Sequence, residues 1–369
     1  MSAHANPDIV DDNLVFLYDT DDAKSFKGEP TTNLITNSGT SNTGWVGHGW
    51  TGSQAISNDY SNTYEFTATN GWHNRTFDTG VTSGGTIYVS FEYKLKQQQT
   101  TQNQLFVLNG TSLGSYTNWL GSGSMSFEWQ TFSGSFTANA NSSKIAIGPR
   151  GQDSSGLTDI VYIRNLQVEQ KPHATPFVNG TRSATQGLLD RTSTSTINIS
   201  NASFDSNAQM TFDGTDDTIN TGLFSGRNPA TDPFTIEAVV KSDITSGARM
   251  WIDATNNGSN QRLYCAYAAT GTGNPMGIQG SAWSSSGVND TDYHHYVIVM
   301  DGSVARLYNN GEAHSTKSYT SYQIQSLNIG GRNSYRWLGD IPIFKLYDRA
   351  LTAAEVLQNF NATKSRFGL

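Results

Sequence analysis

Short segments in which apolar and polar residues alternate, joined by two-residue turns, recur through the last third of the chain. Residues 234–241 (FTIEAVVK) and 293–300 (YHHYVIVM) have this pattern. A period of two places successive side chains on opposite faces of a β-strand. Asp301-Gly302 and Asn310-Gly311 follow where tight hairpin turns are expected. The pattern therefore predicts antiparallel β-sheet.

The same region contains further strands and one helix signal. The additional strands are predicted at residues 303–308, 325–330 and 339–347. Pro342 has no backbone N–H, so its strand is expected to lie at an edge or to contain a bulge. Thr352 and Glu355 have the spacing of a helix capping box. We therefore predict a short helix over residues 353–362.

The composition excludes several classes of protein. Charged residues make up 15% of the chain, the net charge is −8, and there is one cysteine. Lysine and arginine are scattered, so we expect no nucleic-acid partner. A single cysteine forms no internal disulfide framework. Residues 1–13 are polar and resemble no signal peptide, and no apolar stretch reaches ~20 residues, so no membrane insertion is expected.

An ordered set of short motifs covers roughly residues 187–369 and resembles the laminin-G-like, concanavalin A-like jelly roll. The motifs are FDGTDD (212–217), FTIEA (234–238), YHHY (293–296), LYNNG (307–311), IGG (329–331), LGDI (338–341) and YDRAL (347–351). Residues 13–26 resemble the opening strand of the same family in its bacteriophage and bacterial-surface versions. The intervening stretch, residues 33–170, is similar to a carbohydrate-binding-module jelly roll.

The resemblance implies an all-β fold of two jelly-roll sandwiches, one interrupted by the other, with a short C-terminal helix. Chain ends that lie close together make such an insertion tolerable. The expected order is an N-terminal arm (1–12), a first strand of the concanavalin A-like domain (13–32), the inserted module (33–170), a linker (171–186) and the remainder of the first domain (187–369).

Catalytic chemistry is not apparent in the sequence. A glycoside hydrolase needs two carboxylates across the scissile bond, and no Glu-x-Asp-x-Glu strand is present. Glu92, Glu128 and Glu237 are interpreted as strand residues that face solvent. His294 and His295 are adjacent in a strand, so they point to opposite faces and share no ligand. We expect structural roles for both histidines and no enzyme activity.

A calcium ion is the one cofactor that the resemblance suggests. Calcium prefers several carboxylate and carbonyl oxygens. Asp213, Asp216 and Asp217 form a dense acidic turn. Asp253 with residues 256 and 257, both asparagine, is a second candidate. The alternative is that these residues only build turns.

Exposed aromatic residues are the stronger indication of binding. Sugars present flat C–H faces that pack on tryptophan and tyrosine rings. Trp50, Trp72 and Trp119 have polar and small neighbours, which indicates loops. We predict them as candidate glycan contacts. Trp45 and Trp129 are interpreted as packing residues.

A second aromatic candidate lies in residues 331–337 (GRNSYRW). Arg332, Tyr335, Arg336 and Trp337 are predicted to form a small polar-aromatic glycan site. The alternative is that Trp337 covers the edge of the sandwich.

The resemblance implies a virion surface protein of a bacteriophage, made in the host cytoplasm: a fibre, tail appendage or capsid decoration. Its expected partners are host-surface polysaccharide and other virion proteins, with assembly as a homo-oligomer. The N-terminal arm is a candidate anchor to the particle. The alternatives are a polysaccharide depolymerase and a purely architectural virion protein.

Overall fold

The computed structural model describes most of the chain, and structural statements refer to these residues. They are 8–35, 38–43, 45–49, 52–68, 73–99, 104–112, 115–138, 144–149, 158–245, 247, 249–255, 262–267, 276–278, 281–282, 290–320, 323–332 and 335–369.

The described elements are strands with one helix near the end. The first strands are β1 (Leu14–Asp19), β2 (Thr31–Thr32), β3 (Trp45–Gly49), β4 (Gly52–Ile56), β5 (Thr63–Ala68), β6 (His73–Asp78), β7 (Thr86–Gln97), β8 (Gln104–Ser112), β9 (Ser115–Ser124), β10 (Gln130–Thr137), β11 (Lys144–Pro149), β12 (Asp159–Glu169) and β13 (Thr181–Arg182). The remainder are β14 (Ser203–Phe204), β15 (Met210–Asp213), β16 (Ile219–Asn220), β17 (Phe234–Ser242), β18 (Arg249–Thr255), β19 (Arg262–Tyr267), β20 (Met276–Ile278), β21 (Ser281–Ala282), β22 (Tyr293–Asp301), β23 (Val304–Asn309), β24 (Glu312–Ser318), β25 (Ser326–Ile329), β26 (Leu338–Tyr347) and α1 (Ala353–Phe367).

The chain divides into two compact units. The discontinuous unit comprises Met1–Glu29, Ala184–Asp205 and Gln209–Leu369. The inserted unit comprises Pro30–Ser183 and Ser206–Ala208. Each unit has its own hydrophobic core.

Two antiparallel sheets form the discontinuous unit. One has the order β14-β15-β26-β17-β22-β23-β24, and β1 also pairs with β26. The other has the order β16-β25-β18-β19-β20-β21. Alternate side chains of both sheets are buried in one core, whose large members include Phe16, Tyr18, Trp251, Trp337 and Phe344. The arrangement is a β-sandwich.

Both predicted hairpin turns are confirmed. Asp301 pairs with Val304 across Gly302, which has φ +67°. Asn310 and Gly311 have φ +49° and +79°, as a type I′ turn requires. These positive φ values explain why glycine and asparagine occupy the turns.

Strand β26 changes partners along its length. On one side, Leu338 and Gly339 pair with β15, and residues 343–347 pair with β1. On the other side, β17 runs along the strand with a register shift between Val239 and Lys241, opposite Pro342. The predicted bulge at Pro342 is therefore confirmed, and β1 is paired within the same sheet as β26.

Helix α1 begins as predicted but ends later. The Thr352 hydroxyl accepts from the Glu355 N–H, and the Glu355 carboxylate accepts from the Thr352 N–H, which completes the capping box. Gly368, with φ +71°, ends the helix beyond Phe367 rather than at residue 362. The glycine and the basic last turn, which includes Arg366, are the signals that predict the true end.

Residues 8–12, predicted as part of a free arm, pack against α1. The Val10 N–H donates to Asn359 Oδ1 at 2.8 Å, and the Tyr347 hydroxyl donates to the Val10 carbonyl at 3.0 Å. Val10 joins Val297, Tyr347 and other buried residues in an apolar cluster beneath the helix. This part of the arm therefore belongs to the discontinuous unit.

The inserted unit is a second β-sandwich. Its sheets have the orders β10-β7-β12-β5-β4 and β3-β6-β11-β8-β9. Trp45 is 8% exposed within their core, as predicted. The predicted linker, residues 171–186, is not free: as far as Ser183 it belongs to this unit. Thr175 bonds to Glu169 at 2.8 Å, and β13 pairs with β2.

The predicted all-β fold with a C-terminal helix is confirmed. Among the described residues, no helix has the length and hydrophobicity needed to cross a bilayer.

Candidate functional site

The predicted acidic turn brings its three carboxylates together. One oxygen from each of Asp213, Asp216 and Asp217 lies within 4.8 Å of the others. Asp217 is buried and accepts from the Asp213 N–H at 2.6 Å and from the Ser203 hydroxyl at 3.3 Å. Burial raises the pKa of Asp217. The negative charge of Asp213 acts in the same direction, whereas the hydrogen bond from the Asp213 N–H acts to lower the pKa. The turn gathers carboxylate oxygens, which are the ligand type that calcium prefers, and Asp217 also stabilises the turn itself.

The predicted polar-aromatic site in residues 331–337 is only partly assembled. Tyr335 is 40% exposed, and Arg332 and Arg336 are partly exposed. Arg332 Nε lies 3.2 Å from the buried Asp253 carboxylate. Trp337, however, is 0% exposed, and its indole N–H donates to a backbone carbonyl at 3.3 Å. The prediction that Trp337 contacts glycan is wrong, because its ring is part of the core.

The remaining predicted aromatic contacts cannot be placed. Trp50 and Trp72 lie outside the described residues. Trp119 belongs to β9, but its side chain lies outside the described part of the structure. Residues 256 and 257, predicted with Asp253 as calcium ligands, also lie outside it.

A different group of side chains forms a polar and aromatic surface on the described part of the inserted unit. We name it the aromatic–cation cluster; its members are Tyr60, Lys94, Trp129, Tyr162 and Arg164. In β7, Phe91, Tyr93 and Leu95 are buried in the core, so Glu92 and Lys94 between them face away from it. The period of two thus fixes which side chains form the outer face.

Strand register aligns the cluster across the sheet. Tyr162 of β12 pairs with Lys94, and Arg164 pairs with Glu92. Strand β10 pairs with β7 so that Trp129, which immediately precedes it, comes beside Lys94. Regular antiparallel pairing therefore holds the cluster from three adjacent strands, and Tyr60 joins them from the segment before β5.

The three rings meet edge to face. The Tyr60 ring centroid lies 5.3 Å from that of Trp129 and 5.2 Å from that of Tyr162, with interplanar angles of 82° in both pairs. This arrangement is favoured by the aromatic quadrupole. Trp129 and Tyr60 are partly exposed, whereas Tyr162 is 4% exposed.

Two cations lie against these rings. Lys94 Nζ is 4.7 Å from the Tyr60 centroid and 5.0 Å from the Trp129 centroid. The guanidinium of Arg164 lies 3.8 Å above the Trp129 ring. All three distances are within the range of cation–π attraction.

Arg164 is held in place by an ion pair. Its Nε and one terminal nitrogen donate to the two oxygens of Glu92 at 2.9 and 2.8 Å, and Asn165 adds a third bond to Glu92 at 3.0 Å. The Arg164 hydrogen bonds lower the pKa of Glu92. Such a bidentate pair fixes the guanidinium plane, and with it the position of the Trp129 ring.

The interpretation of Trp129 as a packing residue needs correction. The residue lies at the surface of the sheet in contact with Arg164 and Tyr60, and it is partly exposed. The alternation of charged and apolar residues in β7 predicts that one side of this strand faces away from the core. The contacts of Trp129 could not be predicted in the same way, because its partners belong to segments that are distant in sequence.

The interpretation of Glu237 as a solvent-facing residue is wrong. Its side chain is 1% exposed and accepts from Lys345 Nζ at 2.6 Å, His295 Nε2 at 3.0 Å and Asn359 Nδ2 at 2.6 Å. Burial acts to raise the pKa of Glu237, but Lys345 and His295 outweigh it and hold the value at about 2. A carboxylate sealed in this way does not serve as a general acid.

The two adjacent histidines point to opposite sides of β22, as predicted. His295 is 0% exposed and contacts Glu237, whereas His294 is 6% exposed and lies 2.9 Å from Asp290. Both are buried and bonded to carboxylates, which supports their structural interpretation.

Two hollows flank an aromatic pair on the discontinuous unit. Tyr293 and Phe367, with ring centroids 5.0 Å apart, line both a hollow of about 520 Å³ and one of about 330 Å³. Asp205 and Asp340 also line the smaller hollow. Burial raises the pKa of Asp340, although the Tyr293 hydroxyl bonds to it at 3.0 Å and opposes the shift.

A comparison with family models identifies one part of the discontinuous unit. Residues 213–357 match the Laminin_G_3 family. This family is described as the concanavalin A-like lectin/glucanases superfamily. The Laminin_G_3 match begins at Asp213 in the acidic turn and ends within α1, so it confirms the concanavalin A-like resemblance over less than half of the chain. No curated protein matches the chain.

Solved structures show distant similarity. The binding domain of Paraclostridial Mosquitocidal Protein 1 is 14% identical, with a TM-score of 0.37, covering 47% of this chain and 49% of that one. Trypanosoma rangeli sialidase in complex with the inhibitor DANA is 13% identical, with a TM-score of 0.39, covering 56% and 41%. Domain 4 of AbnA, a GH43 extracellular arabinanase from Geobacillus stearothermophilus in complex with arabinotriose, is 12% identical, with a TM-score of 0.36, covering 48% and 92%. The chain spans 49% of the length of the mosquitocidal binding domain and 41% of that of the sialidase.

Proposed function

We propose that the protein is a non-catalytic glycan-binding protein and that the aromatic–cation cluster of the inserted unit contacts the sugar. The observation that carries the proposal is the partly exposed Trp129, held between Arg164 and Tyr60 on a regular sheet surface. The exposed part of the Trp129 ring supplies apolar contact for sugar C–H groups, and the neighbouring donors supply hydrogen bonds to hydroxyls.

The cluster is preorganised for such a role. Because Glu92 fixes Arg164 and Arg164 covers Trp129, little side-chain freedom remains to be lost when a ligand binds. Lower ordering cost leaves more of the contact energy as affinity. The Laminin_G_3 match of the other unit, in a superfamily described by lectins and glucanases, is consistent with glycan binding.

Replacing Trp129 by alanine should weaken glycan binding at least tenfold, about 1.4 kcal/mol, because it removes the central ring of the cluster. The measurement is a glycan array followed by calorimetry on the best ligand. Phe127→Ala is the control, since Phe127 is 58% exposed, lies two residues earlier and is outside the cluster. Unchanged affinity in the Trp129 variant would show that the cluster is not the binding surface.

We further propose calcium at the acidic turn as a stabilising ion. Calcium at about 10 mM should stabilise the discontinuous unit by roughly 1–3 kcal/mol, if the site has a dissociation constant on the order of 0.1–1 mM. Asp216→Asn should remove the effect without loss of the turn, because Asp217 makes the hydrogen bonds. Asp292→Asn, at an exposed position, is the control. A calcium-induced rise in melting temperature that persists in Asp216→Asn would contradict the assignment.

We further propose that the protein is part of a bacteriophage virion. There it would be a fibre, tail appendage or capsid decoration that contacts host polysaccharide and other virion proteins. The support is the resemblance of residues 13–26 and 187–369 to phage laminin-G-like proteins. Many copies, assembled as a homo-oligomer on one particle, would raise avidity ~10²–10⁴-fold over a single weak site. Mass spectrometry and immunogold labelling of purified particles test this; absence of the protein from particles would refute it.

A polysaccharide depolymerase is the second candidate. The observation that favours it is Asp340, whose pKa is raised by burial and which shares a hollow with Asp205. Glycoside hydrolysis requires an acid of this kind and a second carboxylate across the bond. Release of reducing sugars from host exopolysaccharide, lost in Asp340→Asn, would favour this candidate over binding alone.

A further inference from the structure

Two cations at the aromatic–cation cluster, Arg164 within it and Lys96 beside Tyr162, are already paired with carboxylates. Arg164 is paired with both oxygens of Glu92. Lys96 Nζ lies 2.9 Å from the Glu65 carboxylate and 3.4 Å from that of Asp59. Arg164 is thus matched by one carboxylate and Lys96 lies between two, of which Asp59 also attracts Lys94 through space without forming a close ion pair with it.

Lys94 differs from these neighbours. Among the described residues, no carboxylate lies within 4.0 Å of its ammonium group, and its bond to the Tyr60 hydroxyl, 2.8 Å long, goes to a neutral acceptor. An ammonium carries three donors, so this bond leaves two for other acceptors. The rings of Tyr60, Trp129 and Tyr162 lie 4.7, 5.0 and 5.9 Å away and stabilise the cation, but they bear no net charge.

The setting of Lys94 favours an anionic ligand group. The side chain is partly exposed, so a ligand has access to it. The surrounding rings displace water, which strengthens an ion pair relative to one on an open surface. The protein as a whole carries a net charge of −8, which repels polyanions. Attraction of an anionic ligand must therefore come from a local cation.

We infer that the glycan recognised at the cluster is acidic, with a carboxylate or sulfate group that pairs with Lys94. The inference rests on the proposed function and specifies its ligand class. The sugar ring contacts Trp129, and the anionic substituent reaches the Lys94 ammonium, 5.0 Å from the centroid of that ring. The anion supplies the close ion pair that Lys94 lacks among the described residues.

The experiment uses the full chain and two pairs of polysaccharides that share a backbone and differ in whether it carries free anionic groups. Polygalacturonate is compared with its fully methyl-esterified form, and dextran sulfate with dextran; a broad array of neutral glycans is included. We expect a charged member to bind at least tenfold more tightly than its neutral counterpart. The pair that shows the difference identifies the group as carboxylate or sulfate.

Lys94→Gln should lower that affinity at least tenfold and remove most of its dependence on salt concentration. The matched control is Lys144→Gln, which removes the same charge from the other sheet of the inserted unit, where Lys144 is paired with Asp78 at 3.0 Å. Circular dichroism checks that both variants fold.

Each outcome decides the inference. Equal loss in both lysine variants would mean non-specific attraction and overturn it. Binding to neutral glycans alone, or full affinity of Lys94→Gln for a charged one, would also overturn it and leave the proposed function standing. Absence of binding to every polysaccharide would refute the proposed function and the inference together.

Discussion

Replacing Lys345 by methionine should destabilise the discontinuous unit by about 3–5 kcal/mol, because it leaves the buried carboxylate of Glu237 without its cation. Lys345 is 1% exposed and lies 2.6 Å from Glu237. His295 and Asn359 would still donate hydrogen bonds, but neither supplies the fixed positive charge of a lysine.

Denaturant unfolding followed by tryptophan fluorescence measures the loss. The double variant Glu237→Gln/Lys345→Met should recover much of it, since no unpaired charge then remains buried. Arg306→Met is the control; its ion pair with Asp301 is exposed and should contribute less than about 1 kcal/mol. A loss in Lys345→Met no larger than in this control would contradict the argument.

Because of the same ion pair, the discontinuous unit should lose folding stability at acidic pH. The pKa of Glu237 is about 2 in the folded protein and lies near 4.5 when the chain unfolds. A depressed carboxyl pKa contributes stability that is fully present above the unfolded value and is lost as pH falls from 4.5 towards 2. In Lys345→Met the pKa of Glu237 should rise towards or above its unfolded value, so that less stability is lost between pH 4.5 and 2 than in the parent protein.

Phe16→Ala should cost the discontinuous unit about 3–5 kcal/mol, the usual cost of removing a fully buried aromatic ring. Phe16 is 0% exposed, and its ring centroid lies 6.1 Å from that of Tyr18 and 6.2 Å from that of Phe344. Because β1 precedes the inserted unit in the chain and β26 follows it, this effect tests whether residues 13–32 complete the later domain.

Unfolding of the full chain, with Leu357→Ala as control, measures this effect. Leu357 belongs to the same unit but is 45% exposed, so its truncation should cost little. If Phe16→Ala costs no more than Leu357→Ala, the early segment does not belong to the core. A fragment of residues 187–369 should then be as stable alone as when joined to residues 13–32.

Alternation, turn motifs and the capping box predicted the strands, turns and helix well, because each of them depends on residues that are close together in sequence. Alternation defined strands such as β17 and β22, and positive φ values at Gly302 and Gly311 agree with their turn motifs. The capping box placed the start of α1 correctly. These features depend on neighbours in sequence, which can be recognised without knowledge of the tertiary structure.

Burial by distant elements could not be predicted in the same way. Alternation placed Glu237 on the outer face of β17, and it lies there, but α1 and the Lys345 side chain cover that face. Polar neighbours suggested an exposed Trp337, whereas the sandwich core contains it. Both errors arise because a residue's local pattern does not reveal which element packs above it.

The candidate site was missed for a related reason. Trp129, Lys94 and Arg164 are far apart in sequence, and the register of three strands brings them together. Register depends on pairing across the whole sheet. The aromatic candidates Trp50, Trp72 and Trp119 stay predictions.

The pairing of β1 with β26 determines when during synthesis the discontinuous unit can complete its folding. Tyr18 of β1 donates to the carbonyl of Ile341, 323 positions later in the chain. A ribosome therefore releases β1 long before β26 exists, and the inserted unit has all its main strands before then. Contacts of such long sequence separation form slowly. Until residues 338–347 have been translated, Phe16 and Tyr18 lack their partners in β26, and we expect aggregation to be favoured during this interval.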